Sequence, residues 1–590
     1  MPLSRSGVLL AVVGTISLAS SPPPSLAQTV STFLGGSGAT TTNQQSWTTS
    51  DNWDPAGIPD GPDVWAQINS SDAATLRIFY PSTSLSDNTL NVGAISFLPT
   101  LAVTSGSAYS IQNNATVDPV DPPSRKGTLK FSGVDTTIDD VSRRIILDNR
   151  STLDDIQFTQ ALSGQEFELN TSGVIHVAAD TSLTLSPLIR EDSTPRSITK
   201  TGTGVLSFAG SGNQSNLSTY SGGFVLEAGT VQWASSGTAG VGTPFGIGDL
   251  TLRGGTLQST GTSARSVNVN VVLDGGATLG SPGTDPSGNV NINSNSGALS
   301  TTVLSDSVVT IPDGRTTNWI QALGGTGSVT KAGSGILQLT SGGSGFDGGF
   351  VLEAGTVQWS SSGTANEATA FGLGPLTLRA GTLRSTTDTG RSVNVDVVMD
   401  GSVTLGSTDE GLTGSITINS DGGSLGTTIA SNSVVTVVDG CFSVWNQATS
   451  GTGGLTKAGP GTLQFSGIGG DLTHLGTTVI EAGTLIMDAN LISQGAVSVL
   501  SGGTLQGGGT IAGPTTIQAG GTIAPGTSPG EITLSSNVTF EAAGNYNWEI
   551  NNAAGGAGLI LGWDLLDIGG ALDITATAAS PFAINLWSLS

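Results

Sequence analysis

Charge, aromatic rings and cysteine are all scarce in this 590-residue chain. Charged side chains make up 11% of it and aromatic ones 5%, and the single cysteine is Cys441. One cysteine excludes an intramolecular disulfide framework. There are two histidines, His176 and His474. No HxxH-type cluster and no cysteine pair is present, so no metal ligands and no cofactor are expected. The charge that does exist is lopsided, with 44 acids against 19 bases and a formal net charge of −25. Such a chain is repelled by phosphate backbones and anionic headgroups, which argues against nucleic acid as a partner. Glycine, by contrast, is abundant at 87 residues. Between the glycines, Val, Ile, Leu and Thr alternate in short runs, a pattern that disordered chains lack.

Residues 1–27 have the form of a secretory signal peptide. Arg5 precedes the apolar GVLLAVVGTISLA, and Ser25-Leu26-Ala27 offers a small-residue cleavage site. That run is too short for a ~20-residue membrane span, and no later segment suits one, so no integral membrane helix is expected in the mature chain. Residues 28–125 have a different texture, with Trp47, Trp53 and Trp65 among Pro and Asp-Gly turns. They read as an N-terminal cap on a solenoid, whose open edge otherwise pairs with other chains. The alternative use of these rings is a sugar-stacking platform, which makes them the candidate ligand-binding residues. Residues 126–197 carry degenerate strands such as GTLKFSG and GVIHVAA.

From 198 to 497 a repeat is plain. SITKTGTGVLSF precedes VLEAGTVQW, SVTKAGSGILQL precedes VLEAGTVQW again, and GLTKAGPGTLQF precedes VIEAGTLIM. The marker lysines Lys200, Lys331 and Lys457 lie 131 and 126 residues apart (331−200 and 457−331). Each unit of about 126 residues holds several strands of 4 to 6 residues, a stack of five or six rungs rather than one rung. Period-2 alternation puts Val225 and Glu227 on one face and Leu226 on the other, with Ala-Gly at the corner. Some 20 to 25 rungs at ~4.8 Å make a rod on the order of 100 Å long. Residues 498–590 continue as Gly-punctuated rungs and then longer strands such as YNWEI and GWDLLDI.

At these residues the chain resembles the autotransporter-associated β-strand repeat family of exported bacterial proteins. The matching positions are Gly453, Gly454, Lys457, Gly459, Gly461, Leu463 and Phe465, then Gly476, Thr478, Ile480, Gly483, Thr484 and Leu485. The Lys200 and Lys331 copies match almost as closely, with Val231 and Val357 in place of the last leucine. The resemblance implies an all-β, right-handed parallel β-helix that is exported and either displayed or released. The membrane barrel of an autotransporter, with its many ~10-residue amphipathic strands, is not legible after the repeats.

The search for chemistry finds little. Of two GxSxG strings, Ser528 is followed by Pro529, which has no N–H for an oxyanion hole, and Ser424 lacks a strand-to-helix setting. Asp139-Asp140 and Asp154-Asp155 are sequence neighbours, and neighbours in a strand point to opposite faces. Glu227, Glu353 and Glu481 recur with the lysines, whereas an active site is normally built once, so both sets are assigned to turns or stacking. His474 is expected in a solvent-exposed loop, and Cys441, which replaces Arg315 of the preceding copy, in an exposed turn. No catalytic residue is assigned. The expectation is a non-enzymatic stalk, adhesin or extracellular structural component at the cell surface or outer membrane, whose partner is a polysaccharide or a host or matrix surface. The alternative is a carbohydrate-active β-helix enzyme or a glycan-binding module.

Overall fold

A computed structural model describes the short strands between 29 and 159, and residues 166–589 apart from 210–216, 282–287, 342 and 410. The signal-peptide segment, Trp47 and Asp154-Asp155 lie outside the described residues. The chain winds as a three-sided parallel β-solenoid. One turn runs Leu250–Leu252, Thr256–Ser259, Arg265–Val267, and the next stacks on it as Val271–Leu273, Gly276–Leu279, Val290–Ile292. Pairing is parallel, with Leu250 beside Val271, Leu257 beside Leu279 and Val267 beside Ile292. Two of the sheets reach 13 and 14 strands. The only helix among the described residues is the 3-10 turn Asp421–Gly423.

Alternation explains the interior. Phe224 and Leu226 are fully buried while Val225 between them is half-exposed, and the same holds along almost every strand. Most of the described aromatics are spent inside, Phe442 and Trp587 being exposed exceptions. Trp233 meets Phe245 edge-on at 5.2 Å, and in the next copy Trp359 meets Phe371 at 5.1 Å. Polar ladders stack as well: Gln258 donates to Gln232, Asn293 to Asn268 and Asn419 to Asn394. The parallel stack extends into 28–125, where Thr29–Phe33, Val64–Ile68 and Ala94–Phe97 are successive partners. The antiparallel partner there is Trp53–Asp54, against Thr29–Phe33.

The repeat does not contain a whole number of turns. Ile198–Thr201, with Lys200, lies in the sheet that starts at Thr29–Phe33. Five further strands of that sheet follow, ending at Ala322–Gly325. The next strand, Val329–Ala332 with Lys331, then stands on the second side, stacked on Ser307–Thr310. Leu455–Ala458 with Lys457 stands on the third, stacked on Ser433–Val437. Each copy is therefore advanced by five turns and one face, and the three copies look out on three different sides of the rod.

Candidate functional site

Glycine corners build the recurring polar site. Gly202 and Gly229 both adopt positive φ, at 73° and 75°, which lets the chain turn with its carbonyls pointing inward. Lys200 enters this corner from an inward strand position and is fully buried. Its Nζ donates to the carbonyls of Thr201, Gly202 and Ala228 at 2.8, 2.7 and 3.2 Å. Lys331 does the same to Ala332, Gly333 and Ala354, and Lys457 to Ala458, Gly459 and Ala482. Three donors thus meet three acceptors, and the third acceptor belongs to the following turn. Burial pulls Lys200 down to about 7 and Lys331 and Lys457 to about 8. The carbonyls act against that shift by favouring the ammonium. A Cβ on Gly355 would come within 2.7 Å of Lys331 Nζ and 2.4 Å of the Gly333 carbonyl, so the EAG glycine is required twice over. The lysines are corner clamps. The recurring glutamates lie just outside, Glu227 paired with Arg143 and Glu353 with Arg379, while Glu481 faces solvent.

A second constellation lies on the outer surface near the N-terminal end. The antiparallel hairpin Val134–Ile138 and Val141–Asn149 folds over the first sheet. Val134, Ile138 and Ile145 pack there with Ala94 and Val174, and Trp65 leans against them. At the base of the hairpin, where its second strand continues into the sheet, Ser96, Asp148, His176 and Thr201 occupy one outward line on successive turns. All four are buried. Trp65 Nε1 donates to Ser96 Oγ at 2.8 Å, Ser96 Oγ donates to Asp148 Oδ2 at 3.2 Å, and Arg150 Nε donates to the same oxygen at 2.8 Å. Burial raises the Asp148 pKa against the pull of Arg150, and Oδ1 has no partner. His176 Nδ1 sits 3.1 Å from Thr201 Oγ1.

Serine, aspartate and histidine are all present, yet their order is wrong for acyl transfer. The acid stands between the other two, and Ser96 and His176 are two strands apart, about 10 Å at ~4.8 Å per strand. A triad needs the histidine between serine and acid.

Trp53 begins a strand, and Trp65 is half-buried with its indole N–H committed to Ser96. Asp140 sits at the hairpin turn with φ of 62°. His474 is not the solvent-exposed loop residue its sequence setting suggests. It is fully buried, its Nδ1 2.8 Å from Thr449 Oγ1 and its Nε2 3.0 Å from Thr478 Oγ1. Burial lowers its pKa to about 4. It does lie in the loop between Thr462–Leu472 and Thr478–Ile480, but that loop turns the ring into the interior, where two threonine hydroxyls satisfy both ring nitrogens. Cys441 is likewise buried rather than exposed, 3.6 Å from the Ser407 carbonyl. Arg315 in the preceding copy donates to the equivalent Ser281 carbonyl, so one turn accepts either head group.

Sequence reasoning missed a groove of about 490 Å³ that crosses four turns of the second side. Val398, Gly426, Thr428, Ala448 and Ser450 contribute to its lining, and Asp396 and Asp471 stand at its ends. Register sets the backbones of those two residues three strands apart, about 14 Å, and Asp396 Oδ1 accepts from the Gly426 N–H of the next strand at 2.8 Å.

Comparison with known proteins agrees with the repeat. The family model of the passenger-associated-transport-repeat matches three times, at residues 198–232, 329–358 and 455–487. Each match opens on a strand that carries a clamp lysine. An extracellular serine protease of Serratia marcescens is 35% identical over 109 residues, which is 18% of this chain and 10% of that protein. The chain thus spans about a tenth of the length of that relative. No solved structure matches the chain.

Proposed function

We propose that this chain, a parallel β-solenoid carrying three passenger-associated transport repeats, is an exported passenger-type rod that serves as a non-enzymatic surface stalk or adhesin. The observation that carries the reading is where the reactive side chains go. The three clamp lysines and both histidines are buried in the stack and hydrogen-bonded to its carbonyls and hydroxyls. Such groups stiffen a rod and are closed to a substrate. Display is then the physical task, with ligands taken on the surface. The Trp53 and Trp65 region, with Trp47, is the first candidate surface for a polysaccharide, and the groove between Asp396 and Asp471 is the second.

The test sets purified protein against insoluble bacterial, algal and plant polysaccharides and records both retention and release of reducing or unsaturated ends. Retention without release supports a binding rod. Release that persists through rigorous purification overturns the non-enzymatic reading and turns attention to the carboxylates between turns. The same preparation, assayed on casein, tests whether the protease activity named for the Serratia relative has any counterpart in this chain.

A further inference from the structure

The groove on the second side has a one-sided polar inventory. Two outward columns make its floor. The first runs Asp396, Gly426, Ala448, Asp471, and the second Val398, Thr428, Ser450, Thr473. Small residues between the two acids hollow the first column into the concavity of about 490 Å³. Among the described residues no lysine, arginine, asparagine or glutamine lines it. Asp396 Oδ1 accepts from the Gly426 N–H at 2.8 Å and Asp471 Oδ1 from Asn490 at 3.1 Å. Neither carboxylate has a cationic partner among the described residues, whereas Glu353 and Asp400, at the far corner of the same side, both pair with Arg379. The hydroxyls add to the imbalance. Thr473 Oγ1 donates to the Thr449 carbonyl at 2.8 Å and Ser450 Oγ to the Thr427 carbonyl at 3.4 Å, which leaves their oxygens as acceptors.

A groove rich in acceptors, with a carboxylate at each end, is complementary to a ligand rich in donors and positive at intervals. The acids stand about 14 Å apart at ~4.8 Å per strand, so that ligand is a chain rather than a single small cation. The strands beneath are paired on both sides, Val397–Met399 with Leu376–Leu378 and Gly426–Ile429, and Gly426–Ile429 also with Phe442–Ser450. Their backbones offer no edge to a peptide strand, and the occupant must be held through its own polar groups. A chain of amino sugars has the matching chemistry. Its ammonium groups each carry three donors for a carboxylate, and its ring hydroxyls donate to Thr428, Ser450 and Thr473. Its C–H faces lie on Val398, Gly426 and Ala448. We infer that this groove binds a deacetylated amino-sugar polysaccharide laid across the turns, with ammonium groups on Asp396 and Asp471. The inference rests on the polysaccharide-binding reading above and names the class of sugar.

The test uses the purified protein and a fluorescein-labelled hexasaccharide of β-linked glucosamine, with the fully N-acetylated hexasaccharide as control. Fluorescence anisotropy should show saturable binding of the deacetylated chain, at least tenfold tighter than of the acetylated one. Asp396→Asn with Asp471→Asn should weaken that binding tenfold or more. Asp313→Asn with Asp439→Asn removes the same charge from exposed turns elsewhere and should leave it unchanged. A Cβ on Gly426 meets nothing nearer than the Ala448 carbonyl at 3.9 Å, so Gly426→Phe suits the backbone, fills the groove and should abolish binding at unchanged net charge. Equal weakening by the two double variants overturns the inference. Equal affinity for the acetylated hexasaccharide also overturns it, while leaving polysaccharide binding in place. So does displacement by spermine, at the same amine concentration, as effective as that by unlabelled glucosamine hexasaccharide, because the groove then reads charge alone. Failure to bind either hexasaccharide overturns it too, and the retention panel then decides the broader reading by itself.

Discussion

Ile517 and Ile574 occupy equivalent inward positions of one ladder two turns apart, and nothing in their local sequence separates them. Ile517 is 0% exposed and Ile574 is 55% exposed. The difference is the turn above. A solenoid core is assembled by neighbours, so a residue's stability contribution depends on how many layers flank it. Interior turns close over their apolar rows and their clamp lysines, while the last described turn has rows of the same kind with no described strand stacked above them.

The sharpest way to break that comparison is to place one charge in both settings. Ile517→Asp should cost about 4 kcal/mol or more by burying a carboxylate among apolar side chains, and Ile574→Asp less than about 1 kcal/mol. Hydrogen exchange read turn by turn is the measurement, because long repeat arrays need not unfold in one step. Equal losses at the two sites would mean that the end turn is covered in solution.

Lys331→Met is the next largest effect. It removes the ammonium from three carbonyls, one of them on the following turn, and should cost at least about 3 kcal/mol, because hydrogen bonds to a charged group contribute about 1.5–3 kcal/mol each and the burial of the ammonium offsets only part of that. The exchange protection of Phe350–Leu352 should fall more than that of Leu572–Ile574. A variant as protected as the parent would show that the clamp is ornamental.

Acid probes the interior through His474. Its folded-state pKa of about 4 lies below the ordinary 6.5, so the unfolded chain binds the proton first. The stability this neutral ring permits is complete above about pH 6.5 and declines as pH falls through 4, by about 3 kcal/mol in total. Unfolding midpoints at pH 7, 5.5 and 4 should show the decline, and His474→Asn should flatten it. The smallest effect belongs outside the core. Glu353→Gln removes a half-exposed pair with Arg379 and should lower stability by no more than about 0.5 kcal/mol.

Much of the fold was legible in the sequence because its causes are local. Two-residue alternation assigns Leu226 inward and Val225 outward wherever the strand lies, and glycine permits the corners at Gly202 and Gly229 whatever stacks above. The repeats at Lys200, Lys331 and Lys457 announced a solenoid for the same reason. The sites were less legible because they are made between turns. The acceptors that clamp Lys200 include Ala228, from the next turn, and the hydroxyls on either side of His474 come from Thr449 and Thr478. The hairpin that buries Asp148, the burial of Cys441 and the one-face advance of each copy likewise depend on how many residues each loop spends before the next strand. Alternation and glycine therefore determine that this chain winds. The stacking of one turn on another decides which groups end inside, because only there do distant carbonyls and hydroxyls converge on one side chain.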